Sequence, residues 1–196
     1  MPPRTLNDFV ERLGAALASR EPVRVEWPGA RRAAVAVLIT AGAEAAILFI
    51  KRKERVGDPW SGQMALPGGF SAAGDDTLEA TALRETEEET GIVLGAAGAR
   101  LGVLDDVSPR TPYLPPLVVT PYVFRVEREL PAKPGPEAEE TVWLKVKDLF
   151  DPSLRRPFRL ALPRETREFE SIVVAGYTIW GLTERVLHQL RMTAAI

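Results

Sequence analysis

A chain of 196 residues, 45% hydrophobic and 27% charged, has the composition of an ordinary globular protein and is long enough to bury a core without covalent staples. Its net charge of −2 gives no electrostatic reason for non-specific nucleic-acid binding, and the absence of cysteine excludes disulfides, thiolate metal sites and thiol nucleophiles. No apolar run approaches the ~20 residues that span a bilayer, and Asp8 and Glu11 interrupt the N-terminal apolar pattern that a secretion signal needs, so a cytoplasmic address and a single domain over 1–196 are expected.

Leu6, Phe9, Val10, Leu13 and Leu17 recur at helical spacing and predict a packing helix over about 5–19, with Thr5 as its cap. Two apolar runs, 32–40 and 45–51, flank a Gly-containing turn and read as paired strands. The second runs out into Lys51, Arg52, Lys53 and Arg55, either a solvated edge or a grip for phosphate ahead of the glycine loop. That loop, Pro67-Gly68-Gly69, permits backbone shapes that other residues resist and allows close approach to a metal or a phosphate.

The next helix is expected to start near Asp76, capped by Asp75 or Asp76, and to stop at Gly91. At 100° per residue, Glu85, Glu88 and Glu89 fall within an arc of roughly 100°, with Leu78, Ala82 and Thr86 beside them facing a core. Acids packed this closely repel one another unless a cation sits among them, and carboxylate oxygens are the ligands that hard divalent ions prefer.

Further strands are expected over 101–107 and 117–126. The proline-rich segment between them is either a simple connection or one wall of a cleft. Residues 131–136 read as a second irregular loop ahead of 137–146, a helical turn ends at Asp148–Pro152, and 171–175 reads as another strand. The last stretch, 177–190, carries Ile179, Leu182, Val186, Leu187 and Leu190 on one face and predicts a C-terminal helix over about 179–191, with His188 in or beside that face. Strands before and after a central helix, with helices at both ends, give an α+β sandwich.

Gly69, Asp76 and the run Arg84-Glu85-Thr86-Glu87-Glu88-Glu89-Thr90-Gly91-Ile92 resemble the Nudix box, G-x5-E-x7-R-E-U-x-E-E-x-G-U with U aliphatic. The R-E-x-x-E-E-x-G-U core is intact. The chain departs from the pattern by one extra residue before Asp76, by Asp76 for Glu, and by Thr86 for an aliphatic residue. Leu48, Arg52, Gly62, Gln63, Pro67, Gly68 and Gly69 also resemble the second signature of the coenzyme A pyrophosphatase-like branch, with departures at Ile50, Lys53, Trp60 and Leu66.

The resemblance implies the Nudix fold: a mixed β-sheet sandwiched between α-helices, with the box as a loop-helix-loop over 68–92. It implies hydrolysis of a pyrophosphate link in a nucleoside diphosphate joined to another group, coenzyme A being the branch's substrate and ADP-ribose or NADH the alternatives. A silent nucleotide-binding module is a further alternative. In the same way it implies Mg²⁺ or Mn²⁺ held by Glu85, Glu88, Glu89 and the Gly69 carbonyl, with Arg84 orienting the carboxylates. Arg52, Arg55, Gln63 and Gly68 are the implied substrate contacts. A base is expected at Glu137, with Glu139, Glu140 or a box glutamate as competitors. The partner is a small nucleotide rather than nucleic acid or membrane, and a homodimer is common among such proteins.

Overall fold

The computed structural model describes residues 8–42, 44–57, 60–109, 113–162 and 165–195. The expected cap Thr5 and the first apolar position Leu6 lie outside them. The first helix, α1, spans Phe9–Ala18 and buries Phe9, Val10, Leu13 and Leu17, the face its spacing predicts.

Two strands follow, β1 (Arg31–Thr40) and β2 (Ala46–Arg52), which pair antiparallel. Short strands β3 (Met64–Ala65) and β4 (Gly68–Phe70) occupy what reads in the sequence as a glycine loop. Next come α2 (Leu78–Thr90), a single turn α3 (Leu94–Ala97), β5 (Gly98–Val103), β6 (Leu117–Val126) and β7 (Ala138–Lys145). These seven strands form one mixed sheet, in the order β3-β2-β1-β6-β5, with β4 also on β1 and β7 also on β2. The β1–β6 pair is parallel and in register from Arg31↔Leu117 to Thr40↔Val126. The remaining pairs in the sheet are antiparallel.

Period-two alternation divides the sheet into two buried faces. Val37, Ile39, Ile47 and Phe49 join α1 and the C-terminal helix in one core. Ala34, Ala36, Leu38, Leu48 and Phe124 meet Ala82 of α2 in the other. The small side chains of Ala34 and Ala36 let α2 lie close to β1, and this closeness brings its acids to the glycines of β4. The sheet between helices is the expected α+β sandwich.

A second, three-stranded antiparallel sheet follows α4 (Val146–Leu149) and a 3₁₀ turn at Pro152–Leu154. It is built from β8 (Arg155–Ala161), β9 (Thr166–Val174) and β10 (Tyr177–Trp180), in the order β10-β9-β8. The chain closes with α5, Gly181–Thr193.

Three expectations are corrected. The cap of α2 is Thr77, whose hydroxyl accepts from the Ala80 N–H at 3.1 Å, and not Asp75 or Asp76. Residues 177–180 are strand, so the last helix starts at Gly181 and Ile179 is buried from β10. β5 runs from Gly98 to Val103 and leaves residues 104–107 outside it, with Val107 bridging to Val119. His188 is exposed, beside the packed face of α5, which is one of its two expected placements.

Candidate active site

The register of β4 on β1 places Gly69 opposite Ala34 and Gly68 opposite Val35. A Cβ on Gly68 would stand 2.3 Å from the Ala34 carbonyl oxygen, and one on Gly69 would stand 2.4 Å from the Glu85 carboxyl carbon. Both positions therefore require glycine, the first for the sheet and the second for a carboxylate. Glu85 sits against the backbone of β4 because Gly69 has no side chain.

One turn further along α2, Glu89 is only 3% exposed. The Gly68 N–H donates to its Oε2 at 2.9 Å. Burial pushes the Glu89 carboxyl up to about 7; the Gly68 bond and the Arg52 charge oppose the rise, and the Glu85 and Glu137 charges add to it. A carboxylate in this position is short of positive charge.

Arg84 organises the other acids. Its Nε and one terminal nitrogen grip Asp75 at 2.9 and 3.0 Å, its other terminal nitrogen reaches Glu85 at 2.7 Å and Glu88 at 3.3 Å, and it also donates to the Phe70 carbonyl at 3.2 Å. The guanidinium holds Asp75 well below the usual carboxylate range, helped by the Ala72 N–H and the Thr81 hydroxyl. A fork of this kind fixes direction as well as distance. Asp75 thus serves as the anchor of Arg84, a role sequence reasoning missed. The only hint was an acid nine residues before the arginine, which spacing alone does not interpret.

A cavity of about 290 Å³ opens over these groups. Gly68, Gly69, Glu85 and Glu89 line one side, and Arg52, Gln63 and Glu137 line it from the β2 and β7 side. Trp60, Phe70, Leu182 and Thr183 complete its walls; sequence reasoning gave none of these four a place in the site, since they meet only through the tertiary fold. Two expected residues stand back from it. Arg55 pairs with Glu137 at 2.9 Å, and Glu88 is held by Arg84 with its side chain 58% exposed.

The loop before β7 is pinned to the end of α2. Lys133 and Gly135 N–H groups donate to the Thr90 and Glu89 carbonyls, each at 2.9 Å, and a Cβ on Gly135 would meet the Glu88 carbonyl oxygen at 2.0 Å. The Lys53 N–H donates to the Glu137 carbonyl at 3.0 Å. Of the three acids Glu137, Glu139 and Glu140, Glu137 is the one that lines the cavity, and the other two lie in β7. Glu139 pairs with Lys51, and Glu140 accepts from the Tyr177 hydroxyl.

Oxygen donors at Glu85 and Glu89, beside the Gly69 backbone, are the chemistry that Mg²⁺ or Mn²⁺ prefers. The raised Glu89 carboxyl fits a cation at this point. Among the described residues no three acidic, histidine or cysteine side chains already converge at coordinating distance. Arg84 holds Glu88 at 3.3 Å on the exposed side, and Glu85 and Glu89 are the two acids of α2 that line the cavity and would hold the ion.

The comparisons with known proteins give the family. A model of the NUDIX domain matches residues 30–165. The chain is 31% identical, over 98% of its own length and 97% of the relative's, to NudL of Pectobacterium atrosepticum, described as an uncharacterized Nudix hydrolase. It is 26% identical to NudL of Escherichia coli O6:H1, over 98% of this chain and 96% of that one. In fold it is similar to a MutT/nudix family protein from Enterococcus faecalis, with a TM-score of 0.57 and 22% identity, covering 96% of this chain and 73% of the other. The NUDIX domain of Shewanella oneidensis NrtR, solved with ADP ribose, gives a TM-score of 0.50 at 22% identity, over 69% of this chain and 84% of that one. The matched span holds both glycines, Arg84 and all three box glutamates, and the chain belongs to the Nudix hydrolase family.

Proposed function

We propose that the protein hydrolyses the pyrophosphate link of a nucleoside diphosphate joined to another group, with coenzyme A or a derivative as substrate and 3′,5′-ADP and 4′-phosphopantetheine as products. The observation that carries the reading is the buried Glu89 carboxylate, bonded to the Gly68 N–H and sharing one cavity with Glu85 and Arg52. A bound Mg²⁺ or Mn²⁺ supplies positive charge against the diphosphate oxygens. Glu85, Glu89 and the Gly69 carbonyl would hold such an ion, and Glu88 would add a third carboxylate.

Arg52 and Gln63 face the same space and bind the diphosphate and its flanking groups. Arg84 keeps Glu85 aimed inward through its grip on Asp75. Glu137 takes the proton of a water as its oxygen attacks phosphorus, the bridging P–O bond breaks, and the bridging oxygen leaves with its phosphate. Arg55 meets the additional phosphate of coenzyme A once that anion competes with Glu137 for it.

Residues 1–196 act as one Nudix domain in this reading. Among the described residues no helix is long and apolar enough to cross a membrane. Coenzyme A is favoured because Arg52 and Gln63, two residues of the branch's second signature, line the cavity.

The test is incubation with Mg²⁺ and coenzyme A, ADP-ribose or NADH, with the products resolved by chromatography. Cleavage of coenzyme A to the two named products is expected. No turnover of coenzyme A beside rapid cleavage of ADP-ribose or NADH removes the coenzyme A assignment. Tight binding of one of them with no cleavage of any points to a silent binding module.

A further inference from the structure

A second hollow, of about 530 Å³, adjoins the first. Gln63 and Met64 belong to the walls of both. Its far side comes from the second sheet: Phe158 and Leu160 of β8, and Thr178 and Trp180 of β10. Phe158 stacks on Trp180 with ring centroids 4.3 Å apart, and Phe169 tilts against the same indole at 5.4 Å. The aromatic wall is thus held from both sides and offers a rigid apolar surface.

The charges around this hollow decide what it admits. Lys51 lines it, but its ammonium is paired with Glu139 at 3.0 Å. Tyr177 also lines it, and its hydroxyl donates to Glu140 at 2.6 Å. Among the described residues no other charged side chain lines the hollow, so an anion entering it meets no unengaged cation. The first cavity differs in kind, with Arg52 in its wall beside the acids Glu85, Glu89 and Glu137.

The geometry points to a subsite in this hollow for an uncharged organic group carried on the far phosphate of the diphosphate, laid against Phe158, Leu160 and Trp180. The inference rests on the diphosphate occupying the first cavity, as proposed above. A substrate crossing the Gln63–Met64 wall places its anionic centre beside Arg52 and its neutral arm in the second hollow. Phosphorylated or carboxylated arms find Lys51 already paired with Glu139 and are disfavoured. Sites of this kind are concave, mostly apolar and marked by a few polar groups that fix orientation.

Thr178 lies in β10, opposite Val173, and lines the hollow. Its replacement tests the subsite with two esters of ADP, one bearing a methyl group and one a long, uncharged, amide-containing chain. The wild-type enzyme with Mg²⁺ is expected to prefer the long ester in kcat/KM by tenfold or more. Thr178→Trp, which fills the hollow, is expected to bring the two esters within twofold by raising KM for the long one. Thr178→Val, of matching size, keeps the preference. Equal kcat/KM for both esters in the wild type, or a preference untouched by Thr178→Trp, overturns the subsite.

Calorimetric binding of the same esters without metal separates this inference from the proposed hydrolysis. Tenfold tighter binding of the long ester, lost in Thr178→Trp, supports the subsite even where neither ester is cleaved, a result that would count against the proposed hydrolysis alone. Equal binding overturns the subsite whatever the activity.

Discussion

The backbone N–H of Gly68 and the carboxylate of Glu89 meet at 2.9 Å, joining the glycine strand to the acid helix at a point closed to solvent. One hydrogen bond there does not replace the water that Glu89 has lost, so its carboxyl is pushed up to about 7. The native protein holds this proton more tightly than the unfolded chain does. The group therefore costs stability as pH rises from the ordinary glutamate range through 7, by about 3 kcal/mol once fully ionised. Glu89→Gln keeps an oxygen for Gly68 and removes the charge. Turnover is expected to fall by at least ~100-fold, while in chelator at pH 8 the variant melts above the wild type and at pH 5 the two melt together. Thermal melts at the two pH values, with activity assays, check this.

The two adjacent glycines are expected to fail differently. Gly68→Ala drives a Cβ into the Ala34 carbonyl of the central strand, and overpacking of that kind costs roughly 1–3 kcal/mol or more. Gly69→Ala meets the Glu85 carboxylate instead, which swings aside. Urea denaturation should therefore report the first substitution strongly and the second weakly. Activity per folded molecule should drop by roughly 10- to 100-fold for Gly69→Ala, as for other changes that misplace a metal ligand.

Arg84 has a specific geometry to lose. Lysine keeps the charge but cannot fork onto Asp75 while reaching Glu85. Arg84→Lys is expected to raise the Mg²⁺ concentration for half-maximal activity by about 10- to 100-fold, and Asp75→Asn should do so in the same direction with a smaller effect. Metal titrations of the steady-state rate measure both. Unchanged metal dependence in Arg84→Lys would show that Glu85 is aimed by something else.

Away from the site, Asp106 anchors the segment before β1. Burial alone would raise its pKa, but the Val25 N–H, the Thr120 hydroxyl and Arg24 outweigh burial and hold it low; Arg32 also reaches it, at 3.1 Å. A lowered folded pKa contributes stability that is present above the unfolded value and is lost as pH falls through the folded one. Asp106→Asn should therefore be less stable than wild type at pH 6, with the gap closing below about pH 4. Denaturant melts across that range read the difference.

Local signals made α2 legible. Its apolar arc, its acid arc and the Gly91 stop all appear in one helical turn pattern, and the structure buries Ala82 and Thr86 as that pattern requires. β6 is bounded as its β-branched run suggests. β8 was not legible, because RRPFRLA carries Pro157 and three arginines and becomes a strand only when β9 brings Glu168 to Arg159 and Glu170 to Arg155. Asp75 looked like a cap since acids favour helix starts, yet a threonine two residues later satisfies the Ala80 N–H and frees Asp75 for Arg84. The cavity walls at Trp60 and Leu182 join residues more than a hundred positions apart, beyond any local pattern.

The most direct test of the account is anomalous diffraction from crystals saturated with Mn²⁺ and a non-hydrolysable diphosphate analogue. The account predicts a Mn²⁺ peak roughly 2.0–2.2 Å from oxygens of Glu85 and Glu89, with the diphosphate against it beside Arg52. Saturated crystals with no peak there, and with the two carboxylates still in their hydrogen bonds to Arg84 and Gly68, would contradict it.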